Sequence, residues 1–268
     1  MRYILPYIFG ILMLFSCANS NAGKASSGAK SVSRPPKIRE YRLEVVAEYP
    51  HDVTSYTQGL FFHEGQLYET TGQYGSSTLR MVDLETGNAI ERQNFDDEYF
   101  VEGSVVFGDE LYVLTWQEKV VFVYDARTLE YKDTRRYPRE GWGLTTDGNE
   151  LIASDGTAFL YFMDKNLKVK RKVQVKAGHR AVHWLNELEY IGGKIWANVY
   201  TSDEIAIINP STGYVEAVID CRGLLPEELH TYDTDVLNGI AYNPQTGRLY
   251  LTGKNWPKIY QVNVVEKK

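Results

Sequence analysis

One interval recurs five times along the 268 residues of this chain. A polar or aromatic residue, usually followed by glycine, stands nine residues before the apolar position that opens a second short strand: Gln58-Gly59 with Leu67, Glu102-Gly103 with Leu111, Trp142-Gly143 with Leu151. Asn186 keeps the interval to Ile195 without the glycine, and Asn238-Gly239 reaches Leu249 through a turn longer by two residues. Repeats of roughly 40 to 50 residues, each with several short strands that cannot bury their faces alone, are the signature of a β-propeller. Five copies predict an all-β, five-bladed β-propeller. The lead residue changes from copy to copy while its frame persists, which marks the five lead positions as candidates for function.

Third strands are expected at 78–83, 120–124, 159–163, 204–208 and 258–262, and fourth strands at 89–95, 130–137, 169–175 and 214–220. The fifth repeat lacks a fourth strand, whereas residues 41–49 form an unassigned strand ahead of the first repeat. The economical expectation is that this N-terminal strand completes the last blade and closes the ring, leaving no open sheet edge. The 20 Tyr, 10 Phe and 5 Trp favour strands over helices.

Arg2, the apolar run 4–15 and Leu14-Phe15-Ser16-Cys17 read as an export signal too short to span a bilayer. Its ending resembles a bacterial lipobox, so residues 1–17 are expected to be a lipoprotein-type signal, with Cys17 lipidated; ordinary cleavage near 18–22 is the alternative. Residues 18–37 have the composition of a flexible tether and residues 38–268 form the folded domain. The expected location is the bacterial cell envelope, facing the periplasm, with membrane contact only through the lipid anchor. A net charge of -6 without clustered Lys and Arg argues against nucleic acid as a partner. With Cys17 assigned to processing, Cys221 has no partner and reads as a small residue at a strand end.

The interval also maps a rim. Two residues equally far from a hairpin turn lie at the same end of a blade, so the residue fourteen after each lead should share its rim. One ring is then Gln58, Glu102, Trp142, Asn186 and Asn238, and the second is Gly72, Trp116, Gly156, Tyr200 and, with the two-residue insertion, Lys254. Together they suit a small polar ligand with an apolar stem. Glu102 is the sole carboxylate of the lead ring; aromatic walls would raise its pKa and Lys254 would lower it. The plainer reading is that Glu102 caps backbone amides at a strand entry. His179 and His183 are four apart but lack the metalloprotease Glu, and His51, His63 and His230 are scattered, so no catalytic metal site is expected. No Gly-x-Ser-x-Gly elbow and no Gly-rich phosphate loop are present.

The segments Tyr56-Thr57-Gln58-Gly59-Leu60, Glu140-Gly141-Trp142-Gly143-Leu144-Thr145, Asn186-Glu187-Leu188-Glu189-Tyr190, Asn238-Gly239-Ile240-Ala241 and Thr252-Gly253-Lys254-Asn255-Trp256-Pro257 closely resemble those of the plant-type glutaminyl-peptide cyclotransferases. The resemblance runs from about residue 42 to 264. It implies a monomeric five-bladed propeller of the aminoacyltransferase class that converts an N-terminal glutaminyl residue of a peptide or protein into pyroglutamyl and releases ammonia. It places the catalytic carboxylate on Glu102, its polar partners on Gln58, Asn186 and Lys254, and the aromatic pocket on Tyr56, Phe100, Trp116, Trp142 and Tyr200; Asn238 joins the substrate-binding set. It implies no cofactor for catalysis, although some members hold a calcium ion in the central channel. This chain departs from its relatives at Val101 and Ser104, where Gly and Leu are common, and at Tyr56 and Tyr200. Trp196 falls on neither ring and is expected in the core. The rival from another class is a non-catalytic propeller that binds a peptide or saccharide at the same rim.

Overall fold

Within each repeat, burial falls from the first strand to the fourth. The strand VEGSVVF is buried on both faces, whereas the last strand of the same repeat, YKDTRR, is exposed along most of its length. An apolar, β-branched strand therefore lies innermost and a charged strand outermost. The computed structural model describes residues 35–268; the export signal, Cys17 and residues 18–34 of the tether lie outside the described residues.

The chain is all-β and propeller-like. An N-terminal strand, β1 (Arg39–Pro50), is followed by three four-stranded sheets. These are β2 (Thr57–His63), β3 (Gln66–Thr71), β4 (Thr78–Val82) and β5 (Ala89–Asn94); β6 (Val101–Phe107), β7 (Glu110–Thr115), β8 (Val120–Asp125) and β9 (Tyr131–Arg136); and β10 (Leu144–Thr146), β11 (Leu151–Ala153), β12 (Phe159–Met163) and β13 (Val169–Gln174). After a small hairpin of β14 (Lys176–Ala177) and β15 (Arg180–Ala181) come β16 (Leu185–Ile191), β17 (Lys194–Val199), β18 (Glu204–Ile208) and β19 (Val215–Asp220). The last strands are β20 (Leu237–Asn243), β21 (Arg248–Gly253) and β22 (Lys258–Glu266). Third and fourth strands are joined by turns in which a side-chain oxygen accepts backbone N–H groups two and three residues on, as Asp125 does from Arg127 and Thr128 and Asn209 from Ser211 and Thr212.

β1 lies antiparallel to β22, from Tyr41 opposite Glu266 to Pro50 opposite Lys258, and so supplies a fourth strand to the last repeat. The sequence did not announce its second partner: Arg39–Arg42 also pairs in parallel with Ala217–Asp220 of β19. That pairing merges the last two repeats into one eight-stranded sheet. The hairpin β14–β15 was likewise not anticipated.

The apolar core is divided among the spaces between neighbouring repeats. Phe61, Tyr68 and Leu79 of the first repeat pack with Val101, Val113 and Phe122 of the second, and Leu60 and Leu67 pack with Ala241, Tyr250 and Ile259 of the last. Innermost strands touch in the order β2, β6, β10, β16, β20 and back to β2. Trp196 is partly buried against the cluster shared by the last two repeats. Cys221 is buried in the same cluster, and burial pushes its thiol pKa up, so it is an inert packing residue.

Candidate active site

Four lead residues stand in β-bulges. Pairing jumps from Thr57 opposite Thr71 to Gly59 opposite Thr70, from Val101 opposite Thr115 to Ser104 opposite Val113, from Leu185 opposite Val199 to Leu188 opposite Ala197, and from Leu237 opposite Gly253 to Ile240 opposite Leu251. A bulge sets two residues against one and re-aims the side chain at the break, here at the ends of the innermost strands. The glycine after the lead is required where those strands converge. A Cβ on Gly103 would come within 2.6 Å of the Leu144 nitrogen, and one on Gly143 would overlap the Asn186 carbonyl.

The bulges correct the expected pairing of the two rings. The residue fourteen after the lead, sixteen in the last repeat with its longer turn, bonds not to the lead but to the residue two before it: Gly72 N to Tyr56 O at 2.8 Å, Trp116 N to Phe100 O at 2.9 Å, Tyr200 N to Trp184 O at 2.8 Å and Lys254 N to Val236 O at 2.9 Å. A third set of rim positions follows, two before each lead: Tyr56, Phe100, Glu140, Trp184 and Val236.

These positions enclose a cavity of about 390 Å³ lined by Tyr56, Gln58, Phe100, Glu102, Trp116, Trp142, Asn186, Tyr200 and Lys254, together with Gln73 and Trp184. Asn238, expected to touch substrate, does not line it. Its Nδ2 donates to Thr57 O at 2.9 Å and lies 3.4 Å from Gln58 Oε1, so it stands behind Gln58. Trp184 was missed because the ring argument assumed an unbroken hairpin; its position two before a lead, shared with Tyr56 and Phe100, was the available signal.

Glu102, Gln58 and Lys254 form a buried relay. Gln58 Nε2 donates to Glu102 Oε1 at 3.2 Å, and Gln58 Oε1 accepts from Lys254 Nζ at 2.6 Å. Lys254 therefore reaches Glu102 through an amide rather than by direct contact, and its ammonium fixes which way that amide points. Burial raises the Glu102 pKa well above the usual carboxylate range; Lys254 opposes this, and the charges of Glu118 and Glu140 add to it. Burial likewise draws Lys254 down to about 8, against the pull of Glu102 and Asp235. Among the described residues the Asn186 side chain has no hydrogen-bond partner, and its Oδ1 is buried. Such a group calls for a ligand partner. Tyr56 donates its hydroxyl to Asp235 at 2.7 Å, which fixes its ring at the wall. Val101 is fully buried in the core without a positive φ, so the residue that departs from the expected glycine is accommodated by packing.

Two further buried carboxylates stand beside Asn186. Glu187 Oε2 accepts from Ile240 N at 2.9 Å, and Glu189 Oε1 accepts from Tyr242 N at 3.1 Å, tying β16 to β20. Burial raises both, Glu189 to about 8. Each thus accepts from a backbone N–H, and among the described residues no group of three or more His, Cys, Asp or Glu side chains is arranged to hold a metal ion.

A family model described as glutamine cyclotransferase matches residues 12–264. The chain belongs to that family. It is 41% identical over 267 residues to the glutaminyl-peptide cyclotransferase of Arabidopsis thaliana, covering 97% of this chain and 82% of the relative. The crystal structure of Myxococcus xanthus glutaminyl cyclase superposes with a TM-score of 0.81 at 34% identity, over 87% of this chain and all of that one. A glutamine cyclotransferase with this lining presents a buried carboxyl, a buried amine, three amides and a nearly continuous aromatic wall to a single small cavity.

Proposed function

We propose that the chain is a glutaminyl-peptide cyclotransferase that closes the N-terminal glutaminyl residue of a peptide or protein into a pyroglutamyl lactam with release of ammonia. Glu102 carries the reading: a buried carboxyl inside an aromatic cavity, held by Gln58 and linked through it to Lys254. We also propose that the fold is a five-bladed ring closed by β1. Support comes from the order in which the innermost strands touch and from the antiparallel pairing of β1 with β22. On the strength of the export signal ending at Cys17, the enzyme belongs at the cell envelope, lipid-anchored.

The substrate α-amine attacks the carbon of its own γ-carboxamide; a C–N bond forms, the carbonyl becomes an oxyanion, and the C–NH₂ bond then breaks. Because both partners belong to one residue, the enzyme has to hold the folded conformer and move a proton. The free α-amine, with a pKa of about 7.7 to 8.0, is partly neutral at working pH. Glu102 takes its proton and returns it to the departing nitrogen, which leaves as ammonia. A carboxyl raised by burial suits both halves of that transfer. Lys254 and the unpartnered Asn186 amide face the developing oxyanion and the carboxamide, while Gln58, clamped by Lys254 and Asn238, orients Glu102. The indole and phenol faces hold the stem and exclude water, which guards against deamidation to glutamate. No step requires a metal.

Mass spectrometry of a Gln-initiated peptide incubated with the purified protein, with and without chelator, tests the reading. A loss of about 17 mass units, one ammonia, is expected in both samples; an unchanged peptide in both would leave a binding propeller. Lys254→Met is expected to lower kcat about 10²-fold, the scale of one lost oxyanion donor. It should also abolish the alkaline decline in kcat near the wild-type Lys254 pKa of about 8. Retention of that decline in Lys254→Met would show that another group titrates there.

A further inference from the structure

The aromatic wall of the cavity consists of two runs. Tyr56, Phe100 and Trp116 form one, with successive ring centroids 6.3 and 5.5 Å apart. Trp142, Tyr200 and Trp184 form the other, with centroids 5.7 to 6.4 Å apart. Each gap between the runs is spanned by one charge. On one side Lys254 Nζ lies 4.4 Å from the Tyr56 ring centre and 5.7 Å from that of Tyr200. On the other, a single oxygen, Glu140 Oε2, accepts from Trp116 Nε1 at 3.0 Å and from Trp142 Nε1 at 3.3 Å.

We propose that Glu140 is a positioning residue for the reaction: its shared oxygen locks the two indoles at the junction of the runs and so sets the width of the slot that receives the glutaminyl stem. This rests on the cyclotransferase reading above. An indole N–H withdrawn from water needs an acceptor, and here two depend on the same one. Neither ring can swing away without giving up its bond. The backbone repeats the link, since Gly141 N donates to Thr115 O at 3.0 Å and to Trp116 O at 3.2 Å, tying the Glu140 loop to the strand end that carries Trp116. On its far side the Trp142 ring lies over Gly156, where a Cβ would come within 2.7 Å of the indole. The ring is thus held by its face at Gly156 and by its edge at Glu140. The charge reaches the reacting group as well: of the groups that act on Glu102, Lys254 favours its ionised form, whereas Glu118 and Glu140 oppose it.

Two variants separate holding from charge. Glu140→Ala leaves both indole donors without their acceptor; KM is expected to rise at least tenfold, and tryptophan emission of the substrate-free protein to shift to the red with greater quenching by acrylamide. Glu140→Gln keeps an acceptor oxygen; KM should stay within about threefold of wild type, while the Glu102 limb of the kcat profile moves to lower pH because one opposing charge is gone. A wild-type KM and emission in Glu140→Ala would overturn the proposal, as would a lowered melting temperature with KM and pH profile unchanged in both variants. If Glu140→Ala does not fold, the emission and pH profile of Glu140→Gln decide. Should the wild-type protein form no pyroglutamate, the cyclotransferase reading fails by itself; emission and quenching, which need no substrate, still report whether Glu140 holds the indoles.

Discussion

Glu102→Gln is expected to lower kcat on a Gln-initiated peptide by about 10²- to 10⁴-fold, the range associated with a positioned general acid or base. Melting temperature and circular dichroism should stay close to wild type. The substitution keeps the shape of the side chain and a carbonyl oxygen for the Gln58 Nε2 donor. It also removes a carboxyl that burial already disfavours in its ionised form, so the fold loses little. Coupled assay of ammonia release reads the first quantity and thermal melting the second. Turnover within tenfold of wild type would sink the role given to Glu102, and collapse of the fold would restore the view of it as a structural cap.

The second large effect is on stability and lies where β1 hands over to β2. His51 follows directly on β1; its Nδ1 donates to Trp256 O at 2.7 Å and its Nε2 to Glu69 Oε1 at 2.9 Å. Both ring nitrogens face acceptors, so the imidazole carries both protons. Glu69 also accepts from Thr57 Oγ1 at 2.8 Å, and Arg80 stands 3.8 Å from its other oxygen. The side chains of His51 and Glu69 are each 1% exposed. Burial works against the charged imidazole, but Glu69 outweighs it and the His51 pKa is raised above 6.5. Burial works against the Glu69 carboxylate too, and His51 with Arg80 outweighs it, so its pKa is lowered below 4.5.

The contribution of the pair is therefore fully present between about pH 4.5 and 6.5. It fades toward acid as Glu69 takes a proton at its lowered pKa, and toward alkali as His51 loses one at its raised pKa. Removing one partner of a buried pair costs about 3 to 5 kcal/mol. Glu69→Gln at pH 6 should thus melt roughly 6 to 20 °C below wild type for a domain of this size. The difference should narrow as pH rises through the His51 pKa. Because this cluster joins β1, β3 and the loop before β22, amide exchange in β1 and β22 should accelerate first in the variant. A uniform acceleration across all sheets would count against closure of the ring at this seam.

The sequence was legible where the fold repeats. The strands of all five copies could be placed because each innermost strand packs closely against its neighbours, and the need for close approach writes glycine at Gly59, Gly103 and Gly143. The cavity was legible for the same reason. The parallel pairing of Arg39–Arg42 with β19 was not, since it depends on how an N-terminal strand comes to lie beside a strand about 180 residues further along the chain. Trp184 escaped because a ladder of equal steps was assumed across positions where two residues face one. Asn238 misled for a related reason: it holds its place in the lead positions, but its Nδ2 is directed at Thr57 and Gln58 and the residue does not line the cavity.

The bulges at the lead positions bear on how such a scaffold can be altered. A residue set two against one contributes little to the regular ladder, so its side chain can be exchanged without breaking strand pairing. Four such positions, at Gln58, Glu102, Asn186 and Asn238, lie at the ends of innermost strands that touch one another. Asn238 is tied to the frame through Thr57 O, but among the described residues the side chains of Gln58, Glu102 and Lys254 bond only to other side chains and Asn186 Oδ1 has no partner, so a library confined to these four would sample new chemistry while leaving nearly all backbone pairing intact.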